Sequence, residues 1–566
     1  MGRRYYVAFF SLNTIIMIYF WHILGPNYTP LNDGWVMLTN LENGGFSLDW
    51  FVKNIFSYGG DPRIFRRTPY VIAGLLNGNN ILVLKSILFS VVLMQVWGVY
   101  LVIDKFFPDN KLFSSVASLL TMYYPYDGTM FWLGAFGVNI GFCLGVFSIF
   151  FFIRSTAKES KLQFIISIIL LYISCRTYSG YLPGFAAVVF IYIIIQRSEW
   201  KKWWMKAVIY FTTLLAHIWM YISRALSGTG REGAVADTNL ESLGEGFLNA
   251  LYIVYVDWIL ELLRISNFKT EYFLIILCII GMYFYFIYVN EEKDLLIKNE
   301  NTYCYFDGSK AKNITFVLFL ISLVFLVSGY APFAISDIRM GNERQLLFAR
   351  SGAVILYSWI FIYYIRKLLS KQKKDTTCIA ILAISLIVSL AIQNKAAIAN
   401  EYSTASEIQR IFLGDMADAA PEISKDTHLV IYLKDHSFIV NKQLSMLLNR
   451  PQFPIRHLYE DSQINATTIS PFYLNRFDAK IKGDETLYVR NKSININELA
   501  ILYYDFEYGF KPLEKFSYQG GEKASSFTID LPNENRLSYE DKYLTKRQKW
   551  FISERDRLVD KYGVSR

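Results

Sequence analysis

Residues 81–103 read "ILVLKSILFSVVLMQVWGVYLVI", an apolar run broken by a single charge, Lys85. Coiled as an α-helix at 1.5 Å per residue, such a run crosses the roughly 30 Å hydrocarbon layer of a bilayer. Working outward, comparable windows fall at 5–25, 112–125, 130–153, 162–175, 178–195, 205–224, 272–290, 313–335, 348–365 and 376–394. The pattern predicts a mainly α, polytopic membrane bundle of about eleven transmembrane helices. The windows 112–125 and 162–175 are short, as tilted or re-entrant helices are. The stretch 247–265 is amphipathic, with Asp257, Glu261 and Arg264, and reads as an interfacial helix. Composition agrees: 53% of residues are hydrophobic and only 19% charged, more apolar than an ordinary soluble domain.

A net charge of +9 would point to nucleic acid in a soluble protein. Here it is explained by basic loops on the cytoplasmic side, and nucleic acid is excluded as a partner. With Arg3 and Arg4 inside, alternation puts "DKFFPDNK", "RSTAKESK", "QRSEWKKWWMK", the 290–312 stretch and "RKLLSKQKK" in the cytoplasm. The N-terminal segment lacks a small-residue cleavage site and reads as a retained first helix. An odd number of spans exports the C-terminus. The five cysteines show no CxxC and no metal-ligand spacing.

Hydropathy collapses near Lys395. The expected division is therefore a membrane domain over 1–394, with a large first outer loop at 26–80, and a small extracytoplasmic α/β domain over 395–566. Within the latter, 400–423 reads as a helix leading away from the membrane and "NKQLSMLLNR" as another helix. "THLVIYLKD", "TLYVR" and "LAILYYDF" read as strands.

The two sides differ in their choice of cation. The inner loops mostly use Lys, whereas the outer loops carry Arg63, Arg66, Arg67, Arg176, Arg339 and Arg344. Guanidinium is a planar fork that grips phosphate or carboxylate through two parallel hydrogen bonds. These arginines are the candidate anion-binding set. Acids stand beside them: Asp33 in "LNDGW", Asp61 in "GGDPR" and Asp127 in "YPYDGT". A carboxylate at a helix mouth, shielded by aromatics such as Trp35, suits a general base that takes a hydroxyl proton. As plain structure, "NDG" and "GDP" are turn formers. Trp35, Tyr178 and Asp127 are candidate contacts to a sugar or an acceptor. Lys85 either snorkels to the outer surface or joins the anion site. His217 and His22 are polar groups within apolar helices and so candidates by position.

A first helix, a large outer loop with an early acid and basic residues, about eleven helices and a terminal soluble domain together resemble the GT-C superfamily of integral-membrane glycosyltransferases. The segment "SGYAPFAISDIRMGNERQLLFARSGAVIL" is similar to late-loop sequence of bacterial members that modify cell-surface polysaccharide. Asn32 stands where many members carry a second acid. The resemblance implies a plasma-membrane enzyme that moves sugar from a polyprenyl-phosphate donor to a glycan or lipid-linked acceptor on the outer face, with inversion. It makes Asp33 the base with Asp61 as second candidate, and gives the donor phosphate to the arginines. No cofactor is obligatory, and a divalent metal is compatible with this chemistry without being required. Two other readings share these features. One is a surface-polysaccharide polymerase or ligase of the O-antigen type, which would place its basic residues mid-chain. The other is a transporter or flippase of a lipid-linked sugar, which would show matched repeats.

Overall fold

A computed structural model gives the architecture. It describes residues 3–31, 33–43, 47–55, 63–76, 81–108, 110–124, 129–226, 240–263, 270–297, 308–334, 347–369, 375–433, 451–469, 479–481, 486–489, 492–513, 515–518, 527–531, 537–538 and 544–562. The described chain is mostly helical, with strands confined to the region after residue 420. The expected helix at 441–450 lies outside the described residues.

The membrane-type helices are α1 (Arg3–Leu24), α5 (Ile81–Phe106), α6 (Lys111–Met122), α7 (Phe136–Ala157), α8 (Lys161–Cys175), α9 (Leu182–Ile195) and α10 (Trp200–Leu226). Between α1 and α5 lie three short helices, α2 (Asp33–Glu42), α3 (Leu48–Ile55) and α4 (Thr68–Leu75). After α10 come α11 (Leu240–Tyr252), a π turn (Ile253–Asp257) and α12 (Trp258–Leu263). Then follow α13 (Thr270–Ile297), α14 (Gly308–Ala334), α15 (Leu347–Leu369) and α16 (Asp375–Ala419).

Every one of the eleven apolar windows falls in a helix, yet only five described helices are long and apolar enough to cross a membrane. α6, α8, α9 and the Thr315–Tyr330 stretch are apolar but shorter. Of the expected spans, the described residues thus establish five by length and composition. Within the amphipathic 247–265 stretch, the described residues as far as Leu263 form a helix interrupted by the π turn. Outward-facing side chains such as Ile18, Leu162, Ile169, Phe190, Met282 and Phe316 are apolar and exposed, as lipid-facing residues are.

Between the helices, small residues permit close approach, the packing that operates where lipid removes the hydrophobic drive. Ser148 and Ser167 each donate to the other's backbone carbonyl, at 2.9 and 2.8 Å, and lock α7 to α8. A Cβ on Gly329 would sit 2.6 Å from the Ala349 nitrogen, so α14 and α15 touch backbone to backbone.

The helix ends gather into two layers. At one, the Tyr6 hydroxyl and the Lys111 ammonium both donate to Asp104, at 2.7 and 2.6 Å, and Lys111 N–H reaches Glu291. At the other, Tyr28 donates to the Phe131 carbonyl, Asn394 to the Glu261 carbonyl and Phe65 N–H to the Arg176 carbonyl. This up-and-down arrangement places the arginine-bearing loops at the end that carries the C-terminal region.

That region is joined by a single element. α16 does not stop near residue 394 but continues unbroken to Ala419. Its buried Tyr402, Ala405, Ile408 and Phe412 keep the helical period after the apolar run ends. A sheet ordered β2 (Asn465–Ile469), β1 (His428–Leu433), β3 (Leu499–Asp505), β4 (Gly509–Pro512) packs beside it. The first three strands run parallel and β4 antiparallel. On β1, Leu429, Ile431 and Leu433 face the main core, while Val430 faces a second small core with Ile469, Leu487, Leu499 and Ile501. This is the period-two alternation of a strand buried on both faces. α17 (Gln452–Tyr459) and the terminal α18 (Lys546–Tyr562) complete the unit. α18 lies so close on α16 that a Cβ on Gly414 would be 2.6 Å from the Phe551 carbonyl oxygen. Buried Arg410 pairs with Glu554, and Lys561 with Glu407 at 2.6 Å. Burial pushes the Glu554 carboxyl up, but Arg557 and Arg410 outweigh it and hold the group below the usual carboxylate range.

Candidate functional site

Arg66 and Arg67 end a 3₁₀ turn, Ile64–Arg67, which Arg63 precedes and which the fully buried Ile64 anchors. Phe65 N–H donates to the carbonyl of Arg176 across 3.3 Å, tying this turn to the end of α8. The Arg67 guanidinium carbon lies 4.7 Å from the centre of the Trp50 ring, within cation–π range. That of Arg63 lies 6.0 Å from the Tyr178 ring. Arg66 presses on Gly137, where a Cβ would come within 2.7 Å of the Arg66 Cβ. Arg176 is almost fully buried. The fold therefore brings the turn of Arg63, Arg66 and Arg67 beside Arg176 and Tyr178, more than 100 residues away in sequence.

Asp33 is the first residue of α2. Gly34 packs against Pro30, Leu133 and Gly134, where an added Cβ would lie 3.0–3.5 Å from all three. Trp132 donates its indole N–H to the Leu31 carbonyl at 3.1 Å, and Tyr70 donates to the Leu133 carbonyl. The start of α2 and the arginine turn thus rest on one short segment, Leu133–Gly137. Their contact points, Gly134 and Gly137, are roughly one helical turn apart, about 5–6 Å.

Trp35 is buried, its ring 4.8 Å from the His457 imidazole. A residue so enclosed offers no face to a sugar, which corrects the expectation that it stacks on one. Asp61, Asp127, Arg339 and Arg344 lie outside the described residues. Lys85 is neither a snorkelling residue nor part of the arginine set. Buried, it donates to the Gly25 carbonyl and sits 4.1 Å over the Trp21 ring, so its charge caps the C-terminal end of α1. His217 bonds the Thr213 carbonyl of its own helix at 2.8 Å and stacks edge-on with Tyr172. His22 is exposed on α1.

Two cations escaped the sequence reading. Buried Arg350 lies with its guanidinium carbon 4.5 Å from the Tyr124 ring centre, and buried Lys395 donates to the Tyr124 carbonyl at 3.1 Å. The Tyr124 hydroxyl donates in turn to Ile253 in the π turn. A charge inside or at the edge of an apolar window is a functional signal. Both residues sit at window edges, where a cation passes for a membrane boundary.

A cavity of about 360 Å³ runs through the bundle between α5, α6, α7, α9, α14 and α15. Its wall is almost wholly apolar, including Val99, Phe106, Phe142, Ile191 and Phe325. Ser351 and Thr121 line it as well, placing its outer end one residue from Arg350 and one helical turn from Tyr124. On the opposite wall, the Phe142 ring stands 5.3 Å from Tyr181, which stands 5.0 Å from Tyr178. The lining also includes Phe106, Phe107 and Ile195, at the end of the bundle that carries Asp104 and Lys111. Among the described residues, no three His, Cys, Asp or Glu side chains gather as a metal site.

No protein-family model matches this chain, and no curated protein matches it.

Proposed function

We propose that the protein is a membrane glycosyltransferase that moves a sugar from a polyprenyl-phosphate carrier to a hydroxyl of a glycan or lipid-linked acceptor. The observation that carries this reading is that Gly34, which follows Asp33 in the chain, and Arg66 both pack on Leu133–Gly137, with Phe65 tied to Arg176. A base and a phosphate-binding set carried on one footing are what glycosyl transfer from a phosphate requires.

In this reading the isoprenoid chain lies in the apolar cavity and its phosphate faces the cations at the cavity's outer end. The acceptor oxygen attacks the anomeric carbon as Asp33 takes its proton. The carbon–oxygen bond to phosphate breaks, the electron pair leaves with the phosphate, and the new bond forms on the opposite face with inversion. Guanidinium groups already in place stabilise the charge that gathers on the leaving phosphate, without reorganising during the reaction. The cavity also suits a second reading, a translocator that passes the same lipid across the membrane and breaks no bond.

One experiment separates them. Vesicles carrying the protein are given polyprenyl-phosphate labelled in its sugar, together with cell-envelope glycan. Label in the glycan and free polyprenyl phosphate support the transferase. Intact labelled lipid redistributed between leaflets, with no phosphate released, overturns it in favour of the translocator.

A further inference from the structure

α2 holds Asp33 at one end and Glu42 at the other. It is ten residues long, too short to persist as an isolated helix in water, so its position is set by what grips it. At the Asp33 end the grip is the Leu133–Gly134 contact. At the Glu42 end it comes from the C-terminal region, more than 400 residues away in sequence.

Glu42 Oε1 lies 2.8 Å from His457 Nδ1 on α17 and 3.2 Å from a terminal guanidinium nitrogen of Arg547 on α18. The other terminal nitrogen of Arg547 donates to the His457 carbonyl at 2.7 Å and lies 3.2 Å from Nδ1, so all three side chains meet at that ring nitrogen. Arg547 Nε faces Glu460 at 3.5 Å, on the solvent side. Further along α2, Thr39 donates to the Phe453 carbonyl, and Trp35 stacks on the same His457. One helix of the C-terminal region therefore lies along the whole of α2. Glu42 and His457 are both largely buried. A buried charged group is a weak source of stability, because desolvation offsets its attraction. Its use here is geometric: it allows one seating of α2 and penalises the others.

We propose that Glu42, His457 and Arg547 are positioning residues through which the C-terminal region sets the distance between Asp33 and the arginine turn. The proposal rests on the role given to Asp33 above. It makes the C-terminal region part of the catalytic geometry rather than an appendage, since α2 cannot shift without breaking the cluster.

The test uses the full-length protein in vesicles. Glu42→Gln and Arg547→Gln are each expected to lower kcat per folded molecule tenfold or more, with donor KM changed less than twofold. The double variant should be no slower than the worse single. His457→Gln, which keeps an N–H for Glu42 but has no proton to gain, should flatten the acid side of the rate profile. Independently of activity, hydrogen exchange in Arg547→Gln should quicken along all of α2, from Gly34 to Glu42. Quickened exchange confined to the last turn, multiplicative losses in the double variant, or unchanged kcat in the singles would each overturn the proposal. Asp33→Asn, assayed in parallel, separates the two claims. If it transfers normally, the reading of Asp33 falls, while the exchange result still decides the grip. If it is inactive and the Glu42 and Arg547 variants are not, only the positioning proposal falls.

Discussion

Phe65 donates its backbone N–H to the carbonyl of Arg176, and that bond ties the turn at 63–67 to the end of α8. It fixes backbone, while ring faces orient two of the side chains: Trp50 lies under the Arg67 guanidinium and Tyr178 under that of Arg63.

Removing one guanidinium should therefore weaken donor binding without unfolding the bundle. A hydrogen bond to a charged group contributes about 1.5–3 kcal/mol, or roughly 10- to 100-fold in affinity. Arg66→Gln and Arg176→Gln are expected to raise donor KM by that factor. Arg67→Lys should recover little, since an ammonium keeps the charge but loses the fork and the stacking on Trp50. Steady-state kinetics against donor concentration checks both.

Gly137 tests the shared footing. A methyl group there would meet the Arg66 Cβ at 2.7 Å, and overpacking of this kind costs about 1–3 kcal/mol. Gly137→Ala should push the arginine turn away from Asp33 and lower kcat, while the melting temperature falls only slightly. Activity at the wild-type level would mean that the turn tolerates displacement.

The surface around His457 should be sensitive to acid. Burial holds the imidazole below its ordinary value near 6.5, against the opposing pull of Glu42 and with the help of Arg547. The unfolded chain takes up that proton at higher pH than the folded one. Stability is therefore full above about 6.5 and is lost as pH falls through the lower, folded value. Thermal melts of the solubilised protein between pH 7.5 and 5.5 should show the fall, and His457→Gln should show a shallower one. Equal slopes would place the sensitivity elsewhere.

Buried Arg410 and Glu554 join α16 to α18. Arg410→Met should cost about 3–5 kcal/mol, the penalty for stranding a buried charge. The low end is expected here, because Arg557 still reaches Glu554 at 3.0 Å. Methionine at both positions should recover most of the loss, as measured by denaturant unfolding of the C-terminal region.

How much of this was legible in the sequence depends on which signal each residue carried. Hydropathy located the apolar helices, since lipid-facing and core positions are both apolar, but not the polar α18. It read two helices, 376–394 and 400–423, where α16 is one, because Tyr402, Ile408 and Phe412 continue the helical stripe among polar neighbours. Arg63, Arg66, Arg67 and Arg176 stood out as cations in loops read as outer, and a backbone bond joins the two segments that carry them. Arg350 and Lys395 did not, since cations at the edge of an apolar run look like membrane boundaries. Trp35 was misread because its partner, His457, is distant in sequence and carries no motif. The Glu42–His457–Arg547 cluster was invisible for the same reason.

The most direct measurement is sugar transfer from labelled polyprenyl phosphate by Asp33→Asn, normalised to folded protein in the membrane. Loss of a general base lowers turnover by roughly 10²- to 10⁴-fold, and a fall of that size at unchanged donor affinity is the predicted result. Transfer at the wild-type rate would contradict the account at its centre.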